Sequence, residues 1–138
     1  MPGFESIGKE ELDETIDVFK KGGILFRHGF DNLRECYKVE EFEGLFAKKQ
    51  GVNFALALTS GTAALRVSLA ALGISEGDEV ITQSFTFVAT VEAIIESKAI
   101  PICCDIDKSL NLDPDELVKK ITPKTKAVIV VHMLGYPA

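Results

Sequence analysis

Thr59-Ser60-Gly61-Thr62-Ala63-Ala64-Leu65 is the stretch whose reading decides the fold. Ahead of it, Asn53-Phe54-Ala55-Leu56-Ala57-Leu58 is a short apolar run with polar flanks, the pattern of a buried strand. Behind it, Ala63, Ala64, Val67, Leu69, Ala70 and Leu72 lead to Gly73, a good helix stop. A strand is therefore expected to run through a small-residue turn straight into a helix. The first backbone N–H groups of such a helix lack intrahelical acceptors and carry the positive end of its dipole. The hydroxyls of Thr59, Ser60 and Thr62 lie beside them, and a phosphate suits the place. The same letters also suit a plain N-cap at Ser60 or Thr59, with Gly61 there for a tight turn, so the turn alone leaves both readings open. It is neither a Walker sequence nor G-x-G-x-x-G.

Outward from this turn the pattern repeats. Upstream, Glu10 to Lys20 and Val39 to Lys49 have helical spacing, the second with Val39, Phe42, Leu45 and Phe46 on one face and Gly51 as its stop. Between them, Ile24 to Asn32 forms a loop mixing aromatic and charged residues, suited to lining a site or to anchoring the segment. Downstream, Glu79 to Thr82 reads as a strand. A helix is expected from Ser84 through about Ser97, burying Val88, Val91, Ile94 and Ile95. Ala99 to Cys104 is the next strand, with Pro101 near its start, where a missing N–H costs least. Asp113-Pro114-Asp115-Glu116 opens a further helix with an N-cap Asp, Pro at N1 and Glu at N3. Lys126 to His132 is another buried strand. Near-continuous apolar strands alternating with amphipathic helices predict an α/β domain, its mostly parallel sheet covered on both faces. We expect residues 1–52 to form an N-terminal helical segment and 53–138 the first part of that domain. Ending just after a strand, the domain reads as incomplete at its C-terminus.

The totals exclude several classes. With 138 residues, 46% hydrophobic and 26% charged, the chain has the size and composition of one globular domain. A net charge of −6 argues against a general nucleic-acid binder. No apolar run is long enough to span a bilayer and no signal peptide is visible, so the expectation is cytoplasmic with no membrane partner. The cysteines, Cys36, Cys103 and Cys104, have no metal or redox spacing; neighbours on a strand, Cys103 and Cys104 face opposite ways. Asp105, Asp107, Ser109, Asp113 and Glu116 fall at calcium-loop positions, but Leu110 stands where that loop needs Gly, and no metal is expected.

Ligands of open parallel sheets bind beyond the carboxyl ends of the strands. There the turn Thr59–Thr62, the turn Gln83–Phe87 and the segment after Cys104 should gather, with Asp105 and His132 at strand ends. Phe87 could stack on a flat ring attached to a phosphate at Gly61-Thr62, or pack into the core. His132 and His28 are undecided between structural and chemical roles, and no lysine has the setting of a lowered-pKa amine.

Ser60-Gly61-Thr62-Ala63-Ala64-Leu65, Gly77-Asp78-Glu79-Val80-Ile81, Thr86-Phe87-Val88-Ala89-Thr90, Ile121 to Ala127 and Val131-His132 together resemble the DegT/DnrJ/EryC1/StrS sugar aminotransferases. Glu41-Phe42-Glu43 matches a further segment of that family. The resemblance implies the large domain of a fold-type-I enzyme, three-layer α/β/α. The cofactor would be pyridoxal 5′-phosphate (PLP), used to move an amino group from a donor such as glutamate to a keto sugar, in amino-sugar and cell-envelope polysaccharide biosynthesis. It places the cofactor phosphate at Ser60, Gly61 and Thr62 and the pyridine ring under Phe87. It implies a homodimer for the intact enzyme. Phe26-Arg27, Phe30-Asp31 and Arg34 resemble the branch acting on an 8-keto derivative of the eight-carbon sugar Kdo, which makes Phe26, Arg27 and His132 candidate substrate contacts. The family's Schiff-base lysine and pyridine-pairing aspartate have no match here and are expected beyond Ala138, leaving these residues catalytically silent alone. Two alternatives are a non-catalytic PLP-binding or regulatory domain and a dinucleotide binder lacking its glycine fingerprint.

Overall fold

Apolar periodicity builds two compact units, Met1–Ala57 and Leu58–Ala138, in a computed structural model that describes residues 3–21 and 37–138. The first contains helices α1 (Lys9–Lys20) and α2 (Lys38–Gln50). Each begins with acids and ends with lysines, opposing its own macrodipole. The Gly8 N–H donates to the Glu11 carboxylate at 2.7 Å, which holds that carboxyl below its usual range. Gly51, at φ 69°, ends α2 in the left-handed region that favours glycine.

Phe42 and Phe46 do share a face of α2, with ring centroids 5.7 Å apart, yet both are exposed. The buried positions are Glu43 and Ala47, because the chain returns along that side. Val52 N–H donates to the Ala47 carbonyl at 3.0 Å and Ala57 N–H to Glu43 Oε1 at 2.7 Å. Here the expected strand Asn53–Leu58 is overturned: these residues join no ladder, and Phe54 is 90% exposed. A strand needs a paired neighbour, and among the described residues this segment has a carboxylate instead.

The second unit contains α3 (Gly61–Ala71), β1 (Glu79–Gln83), α4 (Val88–Glu96), β2 (Ile100–Cys104), α5 (Pro114–Lys120) and β3 (Thr125–Ile129). All three strands are parallel, in the order β2-β1-β3, with Ile81 opposite Ile102 on one side and Val128 on the other. The two-residue strand period splits the core in two. Val80 packs with Leu69, Ile74, Ala93, Ile94 and Ala99 from the α3–α4 side. Ile81 packs with Cys104 and Leu112, flanked by Ile102 and Leu117 of α5. Helices therefore cover both faces, giving the expected three layers. The same alternation leaves Cys103 exposed and Cys104 buried, and burial pushes the Cys104 thiol pKa up. Asp113 caps α5 as expected, its Oδ1 accepting from the Asp115 and Glu116 N–H groups.

Two boundaries differ from expectation. Helix α4 starts at Val88, with Phe87 extended at its N-cap, and it buries Ala89, Thr90, Ala93 and Ile94; Val88 and Ile95 are each 56% exposed. The inner face pairs two alanines with Ile94, which leaves Val88 and Ile95 on the outer side. β3 stops at Ile129, before His132, because Val131 N–H turns to the side chain of Gln83 at 3.1 Å. No described helix is long and apolar enough to cross a membrane.

This phase of α4 has a direct check. Ile94→Ala should cost about 2–5 kcal/mol in urea unfolding, while Ile95→Ala should stay within about 0.5 kcal/mol.

Candidate functional site

The carboxyl end of β3, the start of α4 and the first turns of α3 line a cleft of about 650 Å³, bordered by Gly61, Thr62, Leu65, Phe87, Thr90 and His132 among others. At α3, Ser60 is extended and caps the helix, its Oγ accepting from Ala63 N–H at 3.1 Å. Ala64 N–H takes the Ser60 carbonyl at 3.0 Å. The N–H groups of Gly61 and Thr62, the first two residues of the helix, have no acceptor among the described residues. A Cβ added at Gly61 would meet nothing within 4 Å, so the space on its side-chain side is open. Two open N–H donors at the positive end of an eleven-residue helix have the chemistry that suits a phosphate-sized anion. The N-cap reading of Ser60 is therefore met, and it does not compete with an anion at the turn, since Ser60 uses its oxygen for the cap and keeps its hydroxyl proton to donate.

Phe87 stands across the cleft and is 73% exposed. The core-packing alternative for this ring is thereby excluded. Its backbone is fixed by Thr90 N–H, which donates to the Phe87 carbonyl at 3.0 Å, and by the Thr86–Thr90 hydroxyl contact at 2.9 Å. An aromatic face held this way can stack on a planar ring.

His132 borders the same cleft, and its Nδ1 accepts from Ala138 N–H at 3.0 Å, which leaves Nε2 as the ring's donor. Asp105 is exposed and does not border the cleft, contrary to its expected place at the site. Asp107 is the turn residue expected: it accepts from the Ser109 N–H and hydroxyl, and the hydroxyl in particular lowers its pKa. No lysine borders the cleft among the described residues. Phe26 and Arg27, with the rest of the Ile24–Asn32 loop, lie outside the described residues.

Two polar residues outside the cleft lining make bonds of longer reach than local spacing shows: Gln83, expected only as the start of the Gln83–Phe87 turn, and Asn111. Gln83, fully buried at the end of β1, bonds three separate segments. Asn111, 3% exposed, donates to the Pro137 carbonyl at 3.3 Å and accepts from Met133 N–H at 3.4 Å, latching the segment that follows His132. A polar residue closing an apolar strand was the available signal for Gln83.

A model of the DegT/DnrJ/EryC1/StrS aminotransferase family matches residues 9–138. The chain belongs to this family. Spore coat polysaccharide biosynthesis protein SpsC of Bacillus subtilis is 43% identical over 130 residues, 94% of this chain and 31% of that protein. The structure of 3-amino-5-hydroxybenzoic acid synthase superposes with a TM-score of 0.85 at 34% identity, covering 96% of this chain and 33% of that one. NtdA of Bacillus subtilis, solved with bound cofactor PMP, gives 0.80 at 30% identity, covering 96% and 29%. The chain thus spans about a third of the length of these relatives. Its α/β architecture is that of the fold-type-I aminotransferases, as the sequence resemblance implied.

Because its ring is outside the core, Phe87→Ala should leave urea-unfolding stability within about 0.5 kcal/mol of the parent. A loss of several kcal/mol would return Phe87 to the core.

Proposed function

We propose that the cleft holds PLP and that the intact protein transfers an amino group from an amino-acid donor such as glutamate to a keto sugar. The observation that carries this is the meeting, in one cleft, of two open N–H groups at Gly61 and Thr62 with an exposed aromatic face at Phe87. Gly61 and Thr62, with the Ser60 hydroxyl beside them, bind the phosphate, and Phe87 holds the pyridine plane. Thr90 and the Thr86 hydroxyl keep the Phe87 backbone in place. When bound, the cofactor supplies the electron sink that transamination requires. His132, through Nε2, is positioned to donate a hydrogen bond to cofactor or sugar.

Relatives named for polysaccharide biosynthesis and sugar amination favour a sugar substrate. For the sugar itself, the motif residues Phe26, Arg27, Phe30, Asp31 and Arg34 are our basis for proposing an 8-keto derivative of Kdo, and hence a role in cell-envelope polysaccharide synthesis. A homodimer working in the cytoplasm completes the proposal. One observation favours a second reading, a PLP-binding unit without chemistry of its own: no lysine borders the cleft among the described residues.

Titrating the 138-residue chain with PLP and following absorbance at the visible edge tests the site. Binding should saturate. Phe87→Ala should weaken it about fivefold to tenfold, the weight of one aromatic contact of about 1–1.5 kcal/mol. Thr62→Pro, which removes one charge-assisted N–H at a helix position that tolerates proline poorly only further in, should weaken it about tenfold or more. Equal affinity in all three proteins would end the assignment. Borohydride reduction followed by peptide mapping should find no stoichiometric lysine adduct, and glutamate plus keto sugar should give no turnover with these residues alone. Stoichiometric trapping would instead reveal a lysine reaching the cleft.

A further inference from the structure

Gln83 sits at the carboxyl end of the central strand with no solvent exposure, and its carboxamide is committed on both sides. Nε2 donates to the Phe85 carbonyl at 3.0 Å and to the Leu110 carbonyl at 3.4 Å, while Oε1 accepts from Val131 N–H at 3.1 Å. Rotating the amide by half a turn would set oxygen against two carbonyls and NH₂ against an N–H, so the network permits one orientation. The three partners belong to different segments: the β1–α4 turn two residues before Phe87, the 105–113 loop, and the residue preceding His132. At this level the ladder persists only between the β1–α4 turn and the end of β2, through Ser84 N–H and the Cys104 carbonyl at 2.8 Å. β3 has already ended at Ile129, and Asn111 ties the 105–113 loop to Met133 and Pro137 but reaches neither Phe85 nor Val131.

We propose that Gln83 is the positioning residue of the cleft: one buried carboxamide sets the spacing at which Phe87 and His132 face a common ligand. The proposal rests on the PLP reading only for the identity of that ligand. Neither common replacement reproduces the pattern. An ionised glutamate accepts from Val131 but turns an acceptor toward the Phe85 and Leu110 carbonyls, and methionine fills the volume with no polar partner.

Two variants, Gln83→Met and Gln83→Glu, separate the arms of the network by amide hydrogen exchange on the 138-residue chain. In Gln83→Met the Val131 amide should exchange at least tenfold faster, with Val80, Ile81 and Thr82 unchanged. In Gln83→Glu the Val131 amide should stay protected while Ser84 and Thr90, on the other arm, exchange faster. Both variants should bind PLP about tenfold more weakly and lose most of the circular dichroism that the bound cofactor shows in the parent. Unchanged Val131 exchange in Gln83→Met overturns the proposal. So does faster exchange with PLP affinity and dichroism intact, and so does a uniform rise across β1 in both variants, which would make Gln83 a support of the whole fold. If the parent chain binds no PLP, the cofactor reading fails, and the exchange pattern still decides the role of Gln83.

Discussion

Everything at this site depends on hydrogen bonds that a parallel sheet leaves unmade at its carboxyl edge. Three strands pointing the same way bring three chain reversals to one side, and the backbone groups there have run out of ladder partners. Helix α3 adds its own unmade bonds, since the first N–H groups of any helix lack carbonyls to meet. The molecule answers some of these demands from within, through Ser60, Asn111 and Gln83. The donors at Gly61 and Thr62 are left open, and the cleft is where they open. Site and sheet thus follow from one topological constraint, with side chains deciding which vacancies are closed.

Stability and recognition draw on different residues as a result. Val80, Ile81 and Ile94 are fully buried and divide between two cores on opposite faces of β1. Phe87, by contrast, keeps a large aromatic surface outside both cores. Charge contributes little to holding this unit together: the Arg66–Glu96 pair joins α3 to α4 at 2.7 Å, but both side chains are about half exposed, which limits such a pair to about 0–1 kcal/mol.

Much of this was legible in the letters, and the parts that were not have a common cause. Periodicity located α1, α2, α3, α5, β1 and β2 because each carries its stop or cap in its own residues, as Gly51 and Asp113 do. The Ser60-Gly61-Thr62 turn was readable for the same reason. Errors arose where a distant partner decides. Asn53–Leu58 has the composition of a strand, but composition does not supply a neighbour, and Glu43 takes the Ala57 N–H instead. The phase of α4 buries Ala93 and Ile94 against Leu69 and Val80, and a hydrophobicity pattern ranks such alanines below Val88 and Ile95. Gln83 and Asn111 act on segments more than twenty residues away, and no local spacing announces that.

The alternation along β2 has a practical corollary. Of its two adjacent thiols, Cys103 opens to water and Cys104 is sealed against Leu112 with its ionisation suppressed. A thiol-directed dye would therefore choose exposed Cys103 over its buried neighbour. Register opposite Thr82 sets that dye one residue before the end of the central strand. A spectroscopic reporter can thus be attached to the sheet with neither core disturbed.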